Sequence, residues 1–164
     1  SPSAVMVTTC ACRSLPAAAA LCRATGCLLP TAKIVDAVHA QAGLKLAPRP
    51  IPPSAQMTSN GYFLHHQRLV QAQLDSVDGG GGQAQVAGGV LLAGHKKDLV
   101  LMRKLATRPN RVAIYGWHQL SGEPIQPVST VHVAEYADYS HGVRLIWGHG
   151  LVYVTERNRA KAAV

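Results

Sequence analysis

The first half of the chain sets short apolar runs at helical spacing between proline and glycine stops. In "SLPAAAALCRATG", Ser14 stands at a cap position, Pro16 falls in the first turn and Gly26 ends the run, which predicts a short helix. Thr31 caps "AKIVDAVHAQAG", where Ile34, Val35, Val38 and Ala42 form one apolar face before Gly43 stops it. "LAPRPIPPS" carries four prolines in nine residues and reads as a stiff, extended connection. Ser59 or Asn60 opens a third helix, "GYFLHHQRLVQAQLDSV", with Phe63, Leu64, Val70 and Leu74 as core candidates. "DGGGG" at 78–82 reads as a loop tip.

The pattern changes after that point. "QVAGGVLLAG" reads as a strand with a glycine-softened middle. "KKDLVLMRKLATRP" reads as a helix ended by Pro109, with a strand over "DLVLM" as the alternative. "RVAIYGWH" is a β-rich run with the character of a central strand, followed by a turn at Ser121-Gly122 and an extended segment between prolines. "STVHVAEY", "GVRLIWG" and "GLVYVTE" complete an antiparallel set, with Gly148-His149-Gly150 as a hairpin turn. Helices first and strands later predict an α+β fold, with N-terminal helices packed on a mostly antiparallel sheet formed by the C-terminal half. Residues 15–155 form the expected single domain, 1–14 an irregular lead-in and 156–164 a fraying basic tail.

Composition narrows the classes. A chain of 164 residues with 48% hydrophobic, 15% charged and 5% aromatic residues suits one folded domain with a real core. Its net charge of +8 favours an anionic polymer or an anionic small molecule as partner. Lysine and arginine are dispersed, a single Phe is present and no base-stacking platform is spelled out, so nucleic acid is not the expected partner. No run reaches the roughly 18 apolar residues of a membrane span. The sequence leaves the oligomeric state open. The chain begins with Ser, consistent with loss of a leader upstream, and residues 4–22 are too poorly organised to be one. Cys10, Cys12, Cys22 and Cys27 lack zinc spacing. They are expected as isolated structural thiols, with one or two disulfides as the alternative in an oxidising compartment.

The chemistry concentrates between residues 116 and 146, which hold three histidines, three aromatics and an arginine. His118 ends one expected strand, His132 lies in the next, Asp138 and His141 occupy the following loop and Arg144 starts the last strand. Strand ends and their loops commonly converge at one sheet edge. Histidine beside a carboxylate suits general acid–base work, because the ring titrates near neutrality and the acid fixes its tautomer. The expected catalytic set is therefore His118, His132, Asp138 and His141, with His118 or His132 as base and Asp138 as orienter. Lys97, Asp98, Tyr115, Trp117, Tyr139 and Arg144 are the expected substrate-binding residues, Lys97 or Arg144 taking an anionic group. His118, His132 and Asp138 or His141 are also a conceivable metal set, but the spacing fits no zinc pattern and Lys97 opposes a cation. No metal is expected. Dinucleotide, phosphate-loop, zinc-protease and nucleophile-elbow motifs are absent, so no cofactor is expected either.

"YSHGVRLI" resembles the "SHGCIRL" signature of L,D-transpeptidases, and "AIYGWH" lies where that family carries a histidine. Gly142 runs directly to Val143 where the family has its cysteine, so acyl transfer through a thiol does not carry over. A longer resemblance spans residues 15–146. "GCLLPTAKIVDAVHAQAGLKLAPRPIPPSAQMT", "GHKKDLV", "RVAIYGWHQLSGEPIQP" and "YADYSHGVRLI" together resemble an uncharacterised family of secreted bacterial proteins. The positions that match are Lys96, Lys97, Asp98, Tyr115, Trp117, His118, His132, Asp138, Tyr139, Ser140, His141 and Arg144. His95 falls where that family varies, and residues 1–14 match nothing in it. The resemblance implies a secreted or periplasmic protein and no particular activity. Joined to the His/Asp/Lys/Arg group, it leads to the expectation of an exported hydrolase-like enzyme acting on a cell-envelope or extracellular polymer. A non-catalytic envelope- or polyanion-binding domain is the alternative.

Overall fold

The computed structural model describes the backbone of residues 5–7 and all of residues 14–77 and 89–147. It is an α+β fold. Helix α1 (Leu15–Thr25) begins after Ser14 and ends at Gly26, whose φ of 69° is the left-handed cap that glycine supplies at no steric cost. Helix α2 (Ala32–Gln41) follows Thr31, whose hydroxyl accepts from the Ile34 amide at 3.4 Å. Helix α3 (Asn60–Ser76) starts after Ser59, which caps the Tyr62 amide at 3.3 Å.

The strands fall into three small sheets. In the first, β1 (Val5–Val7) and β2 (Cys27–Leu28) both run antiparallel to β9 (Arg144–Trp147), which lies between them. The expected irregular lead-in thus contributes a strand. The second joins β3 (Leu44–Lys45) and β4 (Leu92–Ala93) in parallel. The third has the order β7 (Pro124–Ser129), β6 (Ile114–His118), β5 (Lys97–Leu99), β8 (His141–Gly142), antiparallel except for β5 with β8. β6 is central, as its apolar run predicts.

Each helix covers its own apolar cluster. α1 places Ala18 against Leu29, Leu99, Ile114, Val143 and Leu145. α2 sets Val35 against Val100 and Ala113. α3 closes over Leu44, Leu46 and Leu92 with Val70 and Leu74. Burial of such side chains, at about 1.5–3 kcal/mol each, is what holds the layers together.

Four expectations are corrected. Residues 97–99 form strand β5, and only Arg103–Thr107 coil, as a 3-10 turn, so the strand alternative over "DLVLM" holds better than a helix to Pro109. "STVHVAEY" is not a strand: β7 ends at Ser129, and only an isolated bridge from Val133 to Arg111 follows. Of "QVAGGVLLAG", the described part is strand only at Leu92–Ala93. On α3, Leu64 is exposed, and His66 occupies a core position instead. The loop tip at 78–82, the hairpin at 148–150, the strand at 151–156 and the basic tail lie outside the described residues, as do Cys10 and Cys12. Cys22 and Cys27 are free thiols, and burial pushes Cys22 up from its ordinary value.

Candidate functional site

Strand β6 carries the centre of the site, and its backbone is irregular there. The pairing with β7 slips between Ile114 and Gly116, and two successive residues, Gly116 (φ 107°) and Trp117 (φ 56°), are left-handed. A tryptophan in that region costs about 1–3 kcal/mol, which the surrounding contacts must hold in place. The consequence is a broken alternation. Tyr115 and His118 reach the same partner on α2, whereas the Trp117 ring lies near His66 and Tyr139 on another side.

That partner is Asp36. Its Oδ1 accepts from the Tyr115 hydroxyl at 2.8 Å and lies 2.9 Å from His118 Nε2. An ionised carboxylate only accepts, so Nε2 carries the hydrogen and the His118 tautomer is fixed. His39, one helical turn on from Asp36, stacks on His118 with ring centroids 4.8 Å apart and planes 18° apart. His118 and His39 are both buried, and the Asp36 side chain is 52% exposed. The carboxylate is therefore the most exposed member of the group. His39 Nε2 has no hydrogen-bond partner among the described residues. Burial, then the neighbouring His118 and Lys45, lower the His39 pKa, so its ring is neutral at pH 7. Asp36 and His39 line a cleft of about 220 Å³ with Lys45, Leu120 and Ser121.

The loop histidines are elsewhere. Asp138 Oδ1 accepts from the amide and hydroxyl of Ser140 at 2.8 and 2.5 Å, closing a tight turn. Its Oδ2 accepts from Tyr136 at 3.3 Å and lies 3.9 Å from His141 Nε2. Burial pushes Asp138 up, but His141, the Ser140 hydrogen bonds and Lys97 outweigh it and leave the carboxyl below its usual value. His132 stacks on Tyr136 at 4.1 Å. Lys97 Nζ lies 5.1 Å from the Trp117 ring centre, and burial lowers its ammonium against the pull of Asp138. The Tyr139 hydroxyl accepts from the Ile51 amide at 2.8 Å and donates to the Ile51 carbonyl at 3.0 Å, which ties down the proline segment.

Asp98 and Arg144 form a third, interior group. Arg144 Nε donates to Asp98 Oδ2 at 3.3 Å and Nη1 to the Leu92 carbonyl at 3.3 Å, with both side chains buried. Burial raises the Asp98 carboxyl even against Arg144. Buried and satisfied by the protein, the pair serves the fold rather than a ligand. Replacing Arg144 by Met leaves Asp98 buried without its partner and is expected to cost about 3 kcal/mol in urea unfolding. The double variant with Asp98→Asn should recover part of that loss. Equal stability of Arg144→Met and the parent chain would remove the pair from the stability of the fold.

The structure thus divides the expected site. It brings Tyr115 and His118 together, places His132, Asp138 and His141 in a second group near Lys97, and puts Asp98 and Arg144 inside. The carboxylate beside His118 is Asp36 rather than Asp138. Neither Asp36 nor His39 stands out in the sequence, although their i, i+3 spacing on a capped helix was the available signal. Among the described residues, no three His, Cys, Asp or Glu side chains are placed to hold a metal ion, and no helix is long and apolar enough to cross a membrane. At the transpeptidase-like stretch, Val143 is buried in the α1 cluster. The chain matches no family model, no curated protein and no solved structure.

Proposed function

We propose that the chain is an exported hydrolase-like enzyme that acts on a cell-envelope or extracellular polymer at the Asp36 cleft. The observation that carries the reading is the convergence of Tyr115 and His118 on one oxygen of an exposed carboxylate. Two donors fix the orientation of Asp36, and the other oxygen has no hydrogen-bond partner among the described residues. Asp36 then acts as general base on a water molecule in the cleft. Tyr115 and His118 are positioning residues that hold the carboxylate through its Oδ1. Lys45, at the rim, stabilises negative charge on the substrate. Export rests on the family resemblance, and the net charge of +8 suits an anionic polymer as substrate.

The test is a product screen by mass spectrometry on sacculi, polysaccharides and short peptides, followed by turnover of the variants. Asp36→Asn is expected to lower kcat by about 10²–10⁴-fold. His118→Gln, which removes the positioned ring, should lower kcat with little change in KM and should alter the pH profile. Full turnover in Asp36→Asn, with circular dichroism unchanged, sinks the assignment. Binding without product on any of these substrates would favour the second reading, in which the cleft is the ligand site of a non-catalytic envelope-binding domain.

A further inference from the structure

A second cleft of about 470 Å³ adjoins the first and shares Leu120 and Ser121 with it. Its walls are of another kind: Ala47, Pro48, Pro50, Leu120 and Ile125 make it largely apolar, with Gln119 and Ser121 at the side of the β6–β7 turn. Leu120 is 61% exposed at the junction. The proline segment that forms one wall is held by the Tyr139–Ile51 hydrogen bonds, so the cleft is preformed. At about 220 Å³ the polar cleft is smaller than the roughly 300–1,000 Å³ that encloses a drug-sized ligand, so it takes one small polar group.

Two features there select an anion. His39 is buried, lines the polar cleft, and keeps Nε2 without a partner among the described residues, so its ring has a hydrogen bond still to make. Lys45 lines the same cleft, and among the described residues its ammonium makes only a long 3.5 Å hydrogen bond, to the Ala40 carbonyl. Asp36 lines the same cleft and opposes an anion, an effect that the donors Tyr115 and His118 on its Oδ1 offset in part. A carboxylate is a flat, hydrogen-bonding anion of small volume and meets these conditions.

We propose that the two clefts form one groove for a carboxylate carrying an adjacent apolar group, with the carboxylate at His39 and Lys45 and the apolar group between Pro48, Pro50 and Ile125. This deepens the hydrolase reading by naming the substrate class of the same site, and it rests on that reading only for the claim that such a ligand is also turned over. The ligand is either the C-terminal end of a peptide or a free carboxylic acid.

The experiment is a titration of the ¹⁵N-labelled chain with 4-methylpentanoate, 4-methylpentanamide and N-acetyl-alanyl-leucine, followed by amide chemical shifts. The first probe contains no hydrolysable bond, so its binding is independent of turnover, and failure to bind it is distinguishable from failure to hydrolyse. The acid is expected to bind at least ten-fold tighter than the amide, with shifts confined to residues 36–50 and 119–125. Lys45→Met should remove that preference, and Leu120→Ser should weaken acid and amide alike. A peptide acid binding ten-fold tighter than 4-methylpentanoate assigns the ligand to a peptide end, and equal binding assigns it to a free acid. Equal affinity for acid and amide, shifts centred elsewhere, no binding at millimolar acid, or an unchanged preference in folded Lys45→Met would each overturn the proposal.

Discussion

Alanine at Gly94 is expected to destabilise the fold by about 4 kcal/mol or more, beyond the range of an ordinary single substitution. Two independent terms act at this residue. Its φ of 97° is a backbone conformation that a side chain adopts at a cost of roughly 1–2 kcal/mol. A Cβ there would also stand 2.3 Å from the Leu46 carbonyl oxygen and 3.1 Å from that of His118. Both obstacles are main chain, so relief requires moving strands rather than turning a side chain. The movement would break the 2.9 Å bond from the Leu46 amide to the Ala93 carbonyl and disturb the β3–β4 pair. It would also shift Lys45 and His118 at the cleft. Gly26 separates the two terms: its φ is 69°, but nothing lies within 4 Å of a Cβ built there. Gly26→Ala should therefore cost only about 1 kcal/mol. Urea unfolding of the two variants makes the comparison. A Gly94→Ala chain within 1 kcal/mol of the parent would show that the close approach relaxes easily.

The fold was legible where local signals act alone. Ser14, Pro16 and Gly26 delimit α1, and Thr31 and Ser59 mark the starts of α2 and α3, because caps and stops depend on neighbours a few positions away. The apolar run at 112–118 was legible as a central strand for the same reason. Residues 97–109 were misread because "DLVLM" has the composition of either element, and antiparallel pairing of Lys97–Leu99 with β6 decides between them. The candidate site was half legible. Tyr115, Trp117 and His118 attract notice by type, but the partner of His118 is a residue 82 positions earlier. Nothing local announces such a contact. The left-handed pair Gly116–Trp117, which turns Tyr115 and His118 toward one carboxylate, contradicts the alternation any strand reading assumes. On α3, His66 sits within hydrogen-bonding reach of Lys96 inside the protein, a core place that a polar ring on a helix does not announce.

That buried histidine leads to the second large effect: stability should fall steeply between pH 7 and pH 4.5, by about 4–5 kcal/mol, against a typical total of roughly 5–15. His66 and His95 are both buried and both have pKa values lowered to about 3. For His66 the causes are burial first, then the ammonium of Lys96, whose Nζ stands 2.9 Å from Nδ1 and needs that nitrogen bare. For His95 they are burial first, then Arg144 and Lys96. With pKa values depressed from 6.5, the folded chain stays unprotonated at these rings while the unfolded chain takes up protons below pH 6.5. Stability is thus fully present above that value and drains as pH falls toward 3, by up to roughly 1.4 kcal/mol per unit for each ring. His39, also lowered, adds in the same direction, and Asp138 adds to it below about pH 4. Asp98 acts with the opposite sign, since its raised carboxyl takes up a proton in the fold first. Urea midpoints at pH 7.5, 6.0 and 4.5 measure the slope. His66→Gln and His95→Gln remove the titrating ring, so each variant, whatever its loss at pH 7.5, should show a flatter dependence than the parent. A parent chain equally stable at pH 7.5 and 4.5, or variants with an unchanged slope, would mean that these rings are protonated in the fold and that their surroundings are more polar than their burial implies.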